Sequence, residues 1–287
     1  MRKLLALLLC IVLLSGCAVT YDGPTEGEYL LTEKTQSLYA YDRVQLTLRT
    51  TYAYDVRGNL VQEMEYKDDK LEDASYYRYD DRGNRISERY WDHSGLIPLP
   101  KRCAKYTYDD QNRVLTAIYY NGWVRETHRL TYTYDDEANS YTCDDSSGDP
   151  STYYLNEDGQ TIRLSRNING SAYETHYEYD QQGNLLQSTT YRDGQRHSIY
   201  QLRYDDQGRK IWEGDFDAEG NLEKETSVLF NGNIGTTHYS WGTHYSYYDP
   251  DGRIYLTEKY DLDGSLSEVI QYTYQQITVP AEGVETP

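Results

Sequence analysis

Residues 177–195 read YEYDQQGNLLQSTTYRDGQ: two tyrosines one residue apart, an Asp, a Gly-Asn, a mixed run and a closing Asp193-Gly194. Tyr177 and Tyr179 share one face of an extended strand, because strand side chains alternate. Asp180 can accept hydrogen bonds from a turn backbone, and Gly183 supplies a residue free to take φ > 0. Asp193-Gly194 is a second turn signal of the short hairpin kind. Two strands of about eight residues, each about 26 Å long, fit between such turns.

The phrase recurs. Its second tyrosine, or a substitute, falls at Tyr54, Tyr79, Tyr108, Tyr134, Leu155, Tyr179, Tyr204, Tyr248 and Tyr274, with gaps of 25, 29, 26, 21, 24, 25, 44 and 26. An aromatic returns eight residues after the turn glycine position, at Tyr66, Trp91, Tyr120, Tyr191, Phe216 and Tyr260. A period near 25 marks a repeat array in which each unit offers the next the same surface. The expected fold is all-β: an elongated, twisted and curled antiparallel β-meander of about nine two-strand repeats over residues 28–276. The gap of 44 predicts an irregular segment near 226–246.

YxYDxxGN followed by DG resembles the YD repeat of Rhs-type proteins, over roughly residues 39–275. That resemblance implies strips of β-sheet which, in the largest members, wind into hollow shells around a toxic domain. The array is expected to be too short for such a shell, with no separate toxin or self-cleaving domain after it. Its end, QITVPAEGVETP, reads as a disordered tail, assigned to 277–287.

Arg2 and Lys3 precede an apolar run from Leu4 to Leu14 and then Ser15, Gly16 and Cys17. This is a secretory signal over 1–16, too short for a lasting membrane span. The quartet LSGC resembles the lipobox of bacterial lipoproteins, which implies a diacylglyceryl group on Cys17, a lipidated flexible tether over 17–27, and a membrane held as partner through that lipid. The expected location is extracytoplasmic, lipid-anchored to a bacterial membrane.

The formal charge of −19 becomes −21 once Arg2 and Lys3 leave with the signal, which argues against nucleic acid as a partner. With 34 Tyr against 2 Phe and 4 Trp, the chain favours rings with a polar tip, suited to layers that are half wet. Cys103 and Cys143 are expected as thiols, since their strands would be first and fourth in order, about 14 Å apart.

The Asp column of the turns is read as turn capping, because equivalent residues about 10 Å apart cannot share one ion. DFDAEGN, Asp215–Asn221, has part of a calcium-loop spacing but places Thr226 where a bidentate Glu is needed. His238 and His244 approach one another only if a hairpin forms at Trp241-Gly242, and an irregular loop is expected instead. No GxSxG, HExxH or phosphate-binding glycine loop is present, and acid pairs are too numerous to single one out. The reading is therefore non-catalytic, with no cofactor, no metal and no catalytic residue. A lipid-anchored binding or spacer module of the envelope is expected, for glycans or envelope proteins, with Trp91, Trp123, Trp212 and Trp241 as its aromatic surface. The alternative is a component of a toxin or competition system, either a reduced shell or an immunity partner.

Overall fold

The computed structural model describes residues 29–41, 43–122 and 124–276. The signal (1–16), the tether with Cys17, the tail at 277–287 and Trp123 lie outside the described residues. Those described form twenty β-strands and no helix. They divide into two compact units. The first comprises Tyr106–Ile118 and His128–Glu225; the second comprises residues 29–105, 119–127 and 226–276.

In the first unit β8 (Arg125–Asp135), β9 (Ser140–Asp145), β10 (Ser151–Leu155), β11 (Thr161–Ile168), β12 (Ser171–Tyr179), β13 (Leu185–Arg192), β14 (Gln195–Tyr204) and β15 (Lys210–Phe216) each pair antiparallel with the next. The opening stretch occupies β12, its turn, β13 and the turn into β14. Alternation sets its faces: Tyr173, Thr175, Tyr177 and Tyr179 are half-buried, while Ala172, His176 and Glu178 are exposed.

The second unit holds β1 (Tyr29–Ala40), β2 (Arg43–Tyr54), β3 (Leu60–Lys67), β4 (Lys70–Tyr79), β5 (Arg85–Asp92) and most of β6 (Leu99–Tyr108). It also holds most of β16 (Leu222–Asn231), then β17 (Ile234–Tyr239), β18 (Gly242–Tyr248), β19 (Ile254–Asp261) and β20 (Leu266–Gln276). β1 lies between β2 and β20: Gln36 faces Leu48 on one side and Ile270 on the other. The expected curled meander is corrected at its ends, because the first and last strands pair with each other. An edge strand presents unpaired N–H and C=O groups, and this pairing satisfies them.

A second correction concerns 226–246. The segment is regular, with β16 paired to β17 and β17 to β18. Tyr239 faces Gly242, so the chain reverses at Ser240-Trp241.

The YD turns share one hydrogen-bond scheme. At Asp180 the backbone N–H donates to Asn184 O (2.9 Å) and accepts back through its own carbonyl from Gly183 N–H (3.1 Å). Its Oδ1 accepts the amides of Gln182 (2.9 Å) and Asn184 (2.8 Å), and its Oδ2 accepts the Asn184 side chain (2.9 Å). The same set forms at Asp55 and Asp80, with Arg replacing Asn at Asp205 and Asp249. Gly183 sits at φ 85°, the left-handed region that a side chain would oppose. The short turns between DG-type ends are left-handed at both central residues, as at Asp193 (φ 50°) and Gly194 (φ 80°), matching strand twist.

The second tyrosine of the phrase can tie the end of its strand to the strand before it. Its hydroxyl donates to a backbone carbonyl, from Tyr79 to Leu60 O (2.9 Å), Tyr179 to Thr161 O (2.8 Å), Tyr204 to Leu185 O (3.1 Å) and Tyr274 to Ile254 O (2.9 Å). A register shift falls at the same tyrosine in each of these first three strands, where the bulge turns the chain into its loop. Burial is shallow. Ala74, Ala104, Leu130, Tyr132 and Tyr141 are buried, but no large side chain is fully enclosed among the described residues.

Candidate functional site

One face of the second unit gathers carboxylates and phenols. β3 carries Glu63 and Glu65 on that face, opposite Tyr52 and Thr50 of β2 and Ser75 and Asp73 of β4. The row continues through Tyr77 of β4, facing Glu88 of β5, and through Tyr90 of β5, facing Arg102 of β6. Tyr77 donates its hydroxyl to Glu63 Oε2 at 3.1 Å. Burial, then the nearby Glu63 carboxylate, pushes both Tyr52 and Tyr77 up to about 12.

Asp73 and Asp92 stand directly opposite each other, a repulsive arrangement unless a cation intervenes. Lys101 supplies it, with Nζ 2.9 Å from Asp92 Oδ2 and 3.8 Å from Asp73 Oδ1. Asp92 is held below the usual carboxylate range by Ser94 first and by Lys101. Asp73 Oδ1 is buried and lacks a hydrogen bond. Partial desolvation, then Glu63 and Asp73, raises Glu65, whose exposed carboxylate accepts no hydrogen bond among the described residues. The face thus offers an acceptor for hydroxyl donors beside aromatic rings.

The three predicted tryptophans among the described residues differ in their surroundings. Trp212 in the first unit is half-buried: its Nε1 donates to Glu225 Oε2 (2.9 Å), Arg203 lies 4.3 Å from the ring centroid, and the ring covers Gly214, where an added Cβ would fall 2.5 Å away. Trp91 is half-buried at a register shift of β5, facing Ala74. Trp241 is exposed and stacked on Tyr239 with centroids 4.7 Å apart. Guanidinium groups cover other rings, at Arg49 over Tyr66 (4.2 Å), Arg163 over Tyr154 (3.7 Å) and Arg253 over Tyr29 (3.8 Å).

The histidines separate. His238 faces Thr243 and His244 faces Thr237, so alternation sends the two rings to opposite faces of the hairpin. Asp217 uses both oxygens on Asn221, forming a YD-type turn between β15 and β16. Cys103 is buried and Cys143 half-buried, both as thiols.

A shallow groove of about 380 Å³ in the first unit is lined by Glu174, His176 and Tyr191. Its polar groups are mutually engaged, His176 with Glu174 and Glu174 with Arg163. Sequence reasoning missed Glu63, Glu65 and Asp73, whose only signal is an alternating Glu-x-Glu in a strand, lost among many acids.

No family model matches the chain, and no curated protein matches it. Similar solved structures include a porin-like protein from Bacteroides uniformis, 12% identical with TM-score 0.39, spanning 88% of this chain and 99% of that one. A second porin-like protein, from Bacteroides vulgatus, is 11% identical with TM-score 0.34, spanning 87% of this chain and 100% of that one. The Tc holotoxin pore of Photorhabdus luminescens is 12% identical with TM-score 0.35, spanning 87% of this chain and 16% of that one. The described residues define an all-β protein with a repeat-like strand pattern.

Proposed function

We propose that the chain is a non-catalytic, lipid-anchored β-repeat protein of the bacterial cell envelope that binds glycans through the Glu63–Glu65–Tyr77 face. The YD resemblance supplies the class, and Cys17 the anchor. The observation that carries the reading is the uncommitted Glu65 carboxylate near Tyr52 and Tyr90, on the same face as Tyr77, since carboxylates accept from sugar hydroxyls and rings pack on sugar faces.

The charge pattern favours anchorage over spanning. Lys34, Glu63, Glu88 and Lys259 occupy one face of the second unit, and Glu33, Arg49, Arg89 and Glu258 the other. A strand in lipid needs an apolar outward band, which neither face provides.

The test is titration of the chain with soluble envelope polysaccharides and an immobilised glycan panel, comparing Glu65→Gln. Binding weakened roughly tenfold by that change, the loss of one charge-assisted hydrogen bond, is expected. A blank panel ends the glycan reading, and stable co-purification with a secreted toxin would move the assignment to a competition system.

A further inference from the structure

The second unit has an apolar rim. Its short odd-to-even turns, β1 to β2, β5 to β6, β7 (Val114–Asn121) to β8, β17 to β18 and β19 to β20, each carry an outward apolar residue. Tyr41 is 97% exposed, Leu96 106%, Ile97 72%, Val124 93% and Leu262 76%, and Trp241 joins them. These turns are neighbours. Gly242 faces Asp261, Leu38 faces Glu268, Asp68 Oδ1 accepts from Thr47 N–H, Lys70 Nζ donates to Ser94 O, and Gly122 N–H donates to Lys101 O. The turns at the other ends of the unit's strands expose Arg57, Asp81, Arg82 and Asp251, with Val56 as the single large apolar side chain.

We propose that this rim is a membrane-contact surface that inserts single apolar side chains into the headgroup layer of a zwitterionic phospholipid bilayer. The spacing selects a lipid surface over a protein groove. Adjacent hairpin turns stand about 10 Å apart, and Asp68, Asp69, His93 and Asp263 lie between the apolar tips, so no continuous apolar patch forms for a folded partner. A fluid headgroup layer accepts separate wedges of this kind. Charge selects the lipid: the rim's acids and the charge of −21 left after the signal is removed oppose an anionic surface.

Length agrees. The residues from Cys17 to Glu28 can extend at most about 40 Å, and β1, twelve residues long, covers about the same distance from Tyr29 to the rim. A lipid on Cys17 and the rim can therefore meet one membrane surface.

The experiment is flotation of the chain starting at Ala18, which lacks the lipid site and keeps every described residue, with phosphatidylcholine vesicles and with vesicles enriched in phosphatidylglycerol. The expected result is binding to phosphatidylcholine, weaker binding to the anionic vesicles, and at least a roughly tenfold loss in the variant Leu96→Ser/Ile97→Ser/Val124→Ser/Leu262→Ser. All four side chains are exposed, and circular dichroism checks that the variant folds. No flotation by the parent chain, flotation unchanged in the variant, or concentration-dependent dimerisation without lipid binding that the variant abolishes would each overturn the proposal. The glycan reading stands or falls separately, because the Glu63–Glu65 face is untouched by these substitutions.

Discussion

Tyr79 shows what the recurring tyrosine does. Its ring lies on the half-buried face while its hydroxyl donates to Leu60 O, so one residue contributes packing and a tie to the preceding strand. The sequence marks the position without revealing the tie, since a YxY spacing fixes the strand face and nothing in it specifies a carbonyl nineteen residues back. Phe has the same ring and no donor. Tyr79→Phe is expected to lower stability by about 1 kcal/mol, the net worth of one such hydrogen bond, read from the urea midpoint. An unchanged midpoint would show that water replaces the phenol there. Glu65 is the opposite case: its identity is plain in the sequence, but its raised pKa depends first on partial burial, then on Glu63 and on Asp73 from the next strand.

At the scale of the element, hairpins are local and their turn chemistry is legible. Asp-x-x-Gly-Asn predicts an Asp-capped loop with a left-handed glycine, and Asp180 to Asn184 forms one. The hairpin at 226–246 was not legible, because Ser240-Trp241 carries no favoured turn signature. Its geometry depends instead on Gly242, packed against its partner strand. A Cβ at that position would lie 2.0 Å from Tyr260 O, a backbone atom that cannot swing aside. Gly242→Ala is therefore expected to cost about 1–3 kcal/mol through forced backbone movement, with the loss seen in thermal unfolding and as faster amide exchange in β17 and β18. Gly170→Ala serves as a control for backbone strain alone, since open space surrounds that site while its φ is 84°.

For the molecule as a whole, tyrosine burial sets an alkaline limit. Burial is the main cause raising Tyr52, Tyr77, Tyr134 and Tyr247 to about 12, against an ordinary value of 10.0. The unfolded chain loses these protons first, so the stability they represent is complete below pH 10 and disappears as pH rises towards 12. Unfolding and the rise of tyrosinate absorbance should coincide in that window; gradual ionisation with the strand signal intact would show that the phenols are accessible in the native state. Acid acts through other groups. Asp180, Asp205 and Asp217 are held low, first by the side chain four residues on, so their contribution exists above the unfolded value of 3.8 and is lost as pH falls through the depressed values.

From the order of residues alone come the all-β class, the hairpin length and the turn capping, because each depends on contacts within about 25 residues and on strand alternation. The pairing of β1 with β20, which removes a free edge, needed the folded chain. It joins Gln36 to Ile270 across almost the whole sequence, and edge hydrogen bonding is the same for any strand that arrives with the right twist. The carboxylate–phenol face and the apolar rim belong to the same category, since each is made by side chains on several strands or turns that share a side only after the sheet has formed.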